Sequence, residues 1–200
     1  MIRLLLADDQ ALIRSALAAL LELEDDFTVV EVGRGDQVVE AARAATPDVA
    51  LLDVEMPGMD GLAAAGALAA ALPTCRVIIL TAFGRPGYLR RAMEAGALGY
   101  VVKDAPAEQL ADAVRRVARG ERVVDPALAA QTLAGGPSPL TGRERDVLAA
   151  ARGGATIADI ARNLFLSEGT VRNYLSAAIA KTETRNRVEA IRVADERGWL

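Results

Sequence analysis

Four short apolar runs in the first half of the chain end in, or are followed by, residues that can do chemistry. These residues are Asp8, Asp9, Asp53, Thr81 and Lys103. Three carboxylates drawn together repel one another and need a divalent cation, and oxygen ligands without His or Cys suit Mg²⁺. One such Asp alone would more simply be a turn or helix-capping residue. Four strand ends that converge instead favour a magnesium-dependent site for phosphoryl chemistry.

Alternating strand and helix patterns position these residues. Apolar or β-branched runs that are too short for helices occur at 2–7, 27–32, 48–52, 76–81 and 99–102. Helical spacing between them is clearest on one face of the first helix, at Leu12, Ile13, Ala16, Leu17, Leu20 and Leu21. This alternation predicts a doubly wound α/β domain with a parallel, five-stranded sheet. Because the carboxyl ends of parallel strands share one edge, where ligands bind, the chemical residues should meet there.

The composition excludes several classes of site. The chain contains no His and a single Cys. The lack of histidine excludes Ser-His-Asp and Cys-His nucleophiles, His-ligated zinc and a phosphohistidine of the chain's own. Cys75 cannot form an intrachain disulfide, no apolar run approaches the ~18 residues of a membrane span, and two aspartates interrupt any signal-peptide core. We therefore expect a cytoplasmic protein with no membrane partner.

Charge divides unevenly along the chain. Before residue 138 there are 13 Lys and Arg against 19 Asp and Glu, whereas from residue 138 onward there are 10 against 8. An acidic module joined to a mildly basic one fits this asymmetry better than a single acidic domain. The Asp125-Pro126 helix start and the later GGPSP run mark the junction. We predict a first domain at 1–119, a linker with one short helix at 120–137, and a second domain at 138–200.

The second domain has three helix starts and no strand pattern. The starts are Thr141-x-x-Glu144, Thr156-x-x-Asp159 and Ser167 before GTVRNYL. Their spacing predicts a helix-turn-helix within a smaller, all-α domain. On the third helix an apolar stripe is formed by Val171, Leu175, Ala178 and Ile179, and the opposite face presents Arg172, Asn173, Ser176 and Ala180.

That polar face could read a DNA major groove, because Arg pairs well with guanine and Asn with adenine. A bundle that serves only for dimerisation or docking is an equal alternative on spacing alone, since the net charge of this domain is small.

Residues 1–119 resemble the receiver domain of two-component response regulators. The resemblance rests on the acidic pair Asp8-Asp9, on LLDVEMPGMDG at 51–61, on Thr81-Ala82, and on Tyr100 three residues before Lys103. It implies that Asp53 takes a phosphoryl group from the phosphohistidine of a partner sensor histidine kinase. It further implies Mg²⁺ held by Asp9, Asp53 and the backbone carbonyl of Glu55, with Asp8 acting through water.

The same resemblance assigns roles to Lys103, Thr81 and Tyr100. Lys103 pairs with the phosphoryl oxygens and Thr81 donates its hydroxyl to them. Tyr100 fills the space that Thr81 leaves as it moves inward, which is the family's two-state switch. Without the resemblance, Tyr100 would be read as a sheet-edge aromatic with a hydrated hydroxyl and Lys103 as a solvated strand-end charge. Asp104 replaces the proline that follows the lysine in many receivers, so no cis peptide bond is expected there.

Residues 139–198 resemble the DNA-binding domains of the LuxR/NarL class throughout, in LTGRERDVLAAARGG and IADIARNLFLSEGTVRNYL among others. The resemblance implies a four-helix domain that binds DNA as a dimer, with phosphate contacts from Thr170, Lys181 and Arg187. The last helix, at 186–197, would contribute Val188, Ile191 and Ala194 to a dimer seam or pack only against its own bundle. The recognition helix is predicted to run from Ser167 to about Lys181. Thr182 stands where the class usually has an apolar residue, so this helix is expected to fray early.

Together the two resemblances predict a transcriptional response regulator and not a turnover enzyme. Phosphorylation of Asp53 would promote homodimerisation and promoter binding, with RNA polymerase as a further partner. The first helix and its neighbour at 106–119 are the expected dimer face. One alternative is a DNA-binding regulator that has a vestigial receiver and does not depend on phosphorylation. Another is a phosphatase with an Asp nucleophile, because Asp53-Val54-Glu55 has an acid-x-acid pattern; Glu55→Ala would then abolish turnover.

Overall fold

The computed structural model describes residues 1–82, 86–125, 129 and 138–200. The chain divides into two compact units, of which the first holds a β-sheet and the second holds a bundle of helices. Within the described ranges, no helix is both long enough and apolar enough to cross a membrane.

The first unit is a parallel sheet with helices on both faces, which confirms the predicted doubly wound α/β class. Its strands are β1 (Ile2–Ala7), β2 (Phe27–Val32), β3 (Val49–Asp53), β4 (Arg76–Thr81), β5 (Gly99–Val102) and β6 (Val123–Val124). Its helices are α1 (Ala11–Leu21), α2 (Val38–Ala45), α3 (Gly61–Ala71), α4 (Pro86–Glu94) and α5 (Ala107–Ala118), with a 3₁₀ turn at Gly35–Gln37. The strand order is β2-β1-β3-β4-β5-β6, and every described pairing is parallel.

The sheet has a sixth strand, where the sequence predicted five. Gly120, at φ +89°, turns the chain back after α5, and the amide of Val123 donates to the carbonyl of Leu98 at 2.9 Å. Strand β6 then pairs with β5 through Gly99 and Tyr100. Two residues are too few to show a strand periodicity. The short helix predicted in the rest of this linker lies outside the described residues.

Helix α1 is apolar on two sides rather than on one face. Ala18 and Leu21 are buried in the core of the sheet unit and Leu17 packs against it. Leu12 is instead 85% exposed and Leu20 is 44% exposed. The predicted single stripe was therefore wrong, since part of it faces solvent.

The second unit is an all-α bundle, as predicted. Its helices are α6 (Gly142–Ala150), α7 (Ile157–Leu164), α8 (Glu168–Lys181) and α9 (Arg187–Glu196). All three predicted helix starts are confirmed: Thr141 and Glu144 form a capping box, Thr156 and Asp159 form another, and Ser167 accepts a hydrogen bond from the amide of Thr170. The core includes Val147, Leu148, Ile160, Val171, Leu175, Ala178, Ala190 and Trp199.

Helix α8 extends to Lys181, which is the predicted end. The expected early fraying was wrong, because Thr182 is buried and its hydroxyl donates to the carbonyl of Ala178 at 2.8 Å. This hydrogen bond stabilises a position where an apolar side chain was expected. On α9, Ala194 is fully buried in the bundle, so among the predicted seam residues Val188, which is 70% exposed, is the one most available to a partner.

Glu144 links the start of α6 to the end of α8, and we expect it to make the bundle acid-sensitive. Its carboxylate accepts from the Thr141 amide at 2.7 Å and from Lys181 Nζ at 2.8 Å. Burial acts to raise the pKa of Glu144, but the hydrogen bonds from Lys181 and Thr141 outweigh it and lower the pKa below its ordinary value of 4.5. A lowered acid pKa gives stability that is present above the ordinary value and lost as the pH falls through the lowered one.

Glu144→Gln should therefore cost about 1–3 kcal/mol at neutral pH and flatten the loss of stability on acidification. The single tryptophan, Trp199, is buried in this bundle, so its fluorescence during denaturant unfolding reports on this unit. Glu196→Gln, which removes one exposed partner of Arg192, is the matched control and should cost less than 1 kcal/mol. Equal effects of the two variants would contradict the assigned role of Glu144.

Candidate functional site

The predicted acidic residues meet at the carboxyl edge of the sheet. Strands β1 and β3 are neighbours, and they bring one carboxylate oxygen from each of Asp8, Asp9 and Asp53 to within 4.8 Å of one another. Asp8 and Asp53 are buried, whereas Asp9 is exposed. An oxygen-only set with one open side is what Mg²⁺ prefers, because this ion keeps several of its waters.

Lys103 lies between the two buried carboxylates. Its Nζ is 2.6 Å from Asp8 Oδ2 and 3.0 Å from Asp53 Oδ2, and its side chain is only 8% exposed. The alternative of a solvated strand-end charge is therefore wrong. Burial acts to lower the pKa of Lys103, but pairing with Asp8 and Asp53 outweighs it and raises the pKa.

At Asp53, burial outweighs pairing in its effect on the pKa. Burial raises the pKa of Asp53, the charge of Asp8 adds to that rise, and pairing with Lys103 offsets only part of it. The site thus holds two buried carboxylates and one ammonium, which leaves an excess negative charge that a divalent cation would neutralise.

Thr81 and Tyr100 lie on neighbouring strands beside this cluster. Thr81 is the buried last residue of β4, and its backbone carbonyl accepts from the Lys103 amide at 2.8 Å. Tyr100 is fully buried in β5 and pairs with Ile79, two residues before Thr81, so both side chains point to the same face of the sheet. Strand β6 covers β5, so Tyr100 is not a sheet-edge aromatic. A cavity of about 360 Å³ lies beside Tyr100 and is lined also by α5 and β6.

The loop after β3 carries Glu55, whose side chain is exposed. Gly61 donates its amide to the carbonyl of Val54, and Asp60 caps α3 by accepting from the Ala63 amide at 2.7 Å. Asp60 is thus the N-cap of α3. Among the described peptide bonds none is cis, as Asp104 after Lys103 predicts.

Two residues that sequence reasoning missed hold the loops of the acidic cluster. Arg14 Nη1 donates to the backbone carbonyl of Asp8 at 2.6 Å and Arg14 Nε donates to Glu31 at 3.2 Å. Gly35 is buried and donates its amide to the carbonyl of Pro57. A lone Arg among the apolar residues of α1 was the one available signal for Arg14. The Gly33-x-Gly35 pattern indicates only a loop.

Gly35→Ala is expected to cost about 2 kcal/mol of stability and to slow any chemistry at Asp53. A Cβ atom at Gly35 would overlap the backbone carbonyl of Met59, so the loop after β3 would have to shift. Gly66→Ala, at a position on α3 with nothing within 4 Å, is the control and should gain up to about 1 kcal/mol. Calorimetric unfolding of both variants checks the difference, and equal stabilities would contradict it.

Helix α8 has the predicted buried stripe and, opposite it, the predicted polar face. Val171, Leu175 and Ala178 are buried, and the opposite side exposes Arg172, Asn173, Ser176 and Ala180. Arg172 pairs with Glu168 one turn earlier at 2.8 Å. Thr170 is half-buried, and its hydroxyl lies 2.8 Å from that of Ser167.

The other two predicted phosphate contacts already have partners within the bundle. Lys181 pairs with Glu144, and Arg187 Nη1 donates to the carbonyl of Ala155 at 3.2 Å. A DNA phosphate would therefore have to share or replace these partners.

The fold and the two sites define a regulator that joins an acidic α/β domain to a helix-turn-helix domain. Residues 4–115 match the response regulator receiver domain, and residues 138–194 match the luxR family of bacterial regulatory proteins. The chain therefore belongs to the LuxR/NarL class of DNA-binding transcriptional response regulators. This family consists of transcriptional regulators and not of turnover enzymes. Receiver domains of this family bind Mg²⁺ at an acidic pocket, and their presence implies a kinase that donates the phosphoryl group.

Individual relatives extend over the whole chain. The chain is 44% identical to the transcriptional regulatory protein DesR of Bacillus subtilis, with 100% of both chains covered. It is 36% identical to the DNA-binding transcriptional activator DevR/DosR of Mycobacterium tuberculosis, covering 98% of this chain and 95% of that one. The crystal structure of the response regulator ChrA, of a heme-sensing two-component system, has a TM-score of 0.59 at 34% identity and covers 100% of this chain and 98% of its own.

Proposed function

We propose that Asp53 accepts a phosphoryl group from the phosphohistidine of a sensor histidine kinase and that this modification controls promoter binding. The observation that carries the proposal is the buried Asp53 carboxylate at the carboxyl edge of the sheet, paired with Lys103 and next to Asp8 and Asp9. A bond forms between a carboxylate oxygen of Asp53 and phosphorus as the bond from phosphorus to the kinase's histidine nitrogen breaks.

The residues present fit Mg²⁺. Asp9, Asp53 and the backbone carbonyl of Glu55 would hold the ion, with Asp8 acting through water, and the ion would neutralise charge on the phosphoryl oxygens. Lys103 exchanges its contact with Asp53 for a phosphoryl oxygen, and the Thr81 hydroxyl donates to another. Inward movement of Thr81 is coupled to Tyr100, whose side chain lies on the same face of the neighbouring strand.

The proposed dimer face of the receiver is the solvent side of α1. Leu12, Leu20 and Leu23 are exposed large apolar residues in this part of the chain. Helix α5 packs beside α1, and Arg115 on it pairs with Glu24 and Asp26. Charge reversal at Arg115 would break these ion pairs and disturb the fold, so Leu12→Asp is the cleaner test of the face.

On this proposal, a phosphorylated dimer places two α8 helices on a promoter in the cytoplasm, where RNA polymerase is a further partner. The domain boundaries at 119 and 138 stay predictions.

Incubation with acetyl phosphate and Mg²⁺, followed by intact mass and light scattering, tests the proposal. The parent should gain one phosphoryl group and dimerise, Asp53→Asn should do neither, and Leu12→Asp should be phosphorylated but remain monomeric. Parent protein that gains no phosphoryl group would contradict the proposal and leave a DNA-binding protein under another control.

A further inference from the structure

Phe165 has an unusual place in the helix-turn-helix. It is the C-cap of α7, in the left-handed conformation at φ +55° and ψ +45°, and its side chain is 96% exposed. Gly and Asn adopt this backbone conformation readily. Other residues are strained in it, because their Cβ atom comes too close to the backbone. A large apolar ring in water adds no stability by burial.

The bundle does not explain this side chain. Leu164 and Leu166, on either side of Phe165, are the residues that pack against the core. The turn is closed by backbone hydrogen bonds from the amides of Phe165 and Leu166, which any residue could make. The ring therefore has no packing role in this bundle, and its exposed face is open to contact with a partner.

The place of Phe165 indicates what that partner is. The residue lies two positions before Ser167, which caps the start of α8. The first residues of a recognition helix reach the base edges, so the turn just before them lies at the rim of the major groove, beside the DNA backbone. Arg162 and Arg172 stand on the two helices that this turn connects. Each is in an exposed ion pair, with Asp159 and Glu168 respectively, and a DNA phosphate can compete for such a guanidinium.

We propose that Phe165 packs against the deoxyribose carbons of the DNA backbone, next to the groove that α8 reads. The deoxyribose ring is the apolar part of that backbone, and an aromatic face can cover it without reading sequence. Contact with DNA removes the ring from water, and this gain offsets the strain of the free protein. The proposal rests on DNA binding by this domain and does not depend on phosphorylation at Asp53.

The test compares Phe165→Gly and Phe165→Tyr in the full chain. The probe is a fluorescent duplex of random sequence, about 30 base pairs long, which can span two half-sites. Phe165→Gly should weaken binding about tenfold, while Phe165→Tyr should stay within about twofold of the parent. The glycine variant should also unfold about 4 °C higher, monitored by Trp199 fluorescence, because its turn is no longer strained.

Salt dependence separates this contact from an ionic one. Phe165→Gly should leave the slope of log affinity against log salt unchanged, whereas Arg187→Ala, which removes a predicted phosphate contact, should flatten it by about one unit. Weaker binding with equal or greater thermal stability and an unchanged slope would support the proposal.

Unchanged affinity of Phe165→Gly would overturn it, and would leave a protein partner to explain the ring. Loss of both affinity and thermal stability in Phe165→Gly would also overturn it, because the side chain would then be structural. A parent protein that binds no duplex would overturn this contact together with the DNA-binding function, an outcome distinct from failure at Phe165 alone.

Discussion

Lys103→Met is expected to destabilise the receiver domain by about 3 kcal/mol at pH 7 when Mg²⁺ is absent. The ammonium contacts Asp8 at 2.6 Å and Asp53 at 3.0 Å in a site with little access to water. Its removal leaves two buried carboxylates facing each other without a compensating cation. Added Mg²⁺ should restore most of the loss, because a ligand that binds only the native state stabilises it. Calorimetric unfolding in EDTA and then across a Mg²⁺ titration measures both effects.

The pH dependence of this penalty has a definite sign. Burial raises the pKa of Asp53 above its ordinary value of 3.8, so the folded state prefers the protonated carboxyl. The stability that this preference gives is present below the ordinary pKa and lost as the pH rises through the folded value. Lys103→Met removes the pairing that offsets part of this rise, so the pKa of Asp53 is raised further in the variant. The penalty should therefore be smaller near pH 4, where the carboxyl is protonated, than at pH 7.

Two further variants make this prediction specific. Adding Asp53→Asn to Lys103→Met should recover about 2 kcal/mol, because one of the two unpaired charges is gone. Lys181→Met removes the chain's other lysine, which is 38% exposed and has one carboxylate partner, and should cost only about 1 kcal/mol. Additive effects of Lys103→Met and Asp53→Asn would show that the pair is not coupled as described.

Arg172→Ala is expected to weaken binding to a selected target duplex by about 10- to 100-fold. A bidentate Arg contact with guanine contributes about 1–3 kcal/mol of discrimination. In the free protein Arg172 pairs with Glu168, so DNA has to attract the guanidinium away from an exposed and weak ion pair. Fluorescence anisotropy with the selected duplex and with a scrambled one measures both affinity and specificity.

The chain offers a close control for this variant. Arg192 pairs with Glu196 on α9 at 2.7 Å, also four residues apart and equally exposed, but away from the recognition helix. Arg192→Ala loses the same charge and the same kind of ion pair, and its affinity should fall less than threefold. If both variants weaken binding equally, the loss comes from net charge, and α8 does not read bases through Arg172.

The positions of the acidic residues could be predicted because parallel strands put their carboxyl ends at one edge of the sheet. Once the strand ends were predicted correctly, this rule was enough to place Asp8, Asp53 and Lys103 together. The buried stripe of α8 followed in the same way from helical spacing at Val171, Leu175 and Ala178. The helix caps at Thr141 and Thr156 could also be predicted, because each capping partner lies only three residues away.

Features that depend on contacts between residues far apart in the sequence could not be predicted from it. Strand β6 is two residues long and forms only because α5 returns it to β5. Gly35 matters because Met59, on another loop, leaves no room for a Cβ. The Glu144–Lys181 ion pair joins residues that are 37 positions apart. Helical periodicity also could not show that α1 has apolar residues both toward the core and toward solvent.

The most direct test of phosphorylation-controlled DNA binding is the affinity of the full chain for a duplex selected from a random pool. It is measured with and without acetyl phosphate, in the presence of Mg²⁺, for the parent and for Asp53→Asn. The parent should bind at least about tenfold more tightly after phosphorylation, whereas Asp53→Asn should keep one weak affinity under both conditions. Equal affinities of the parent with and without acetyl phosphate, despite a phosphoryl group on Asp53, would contradict the account.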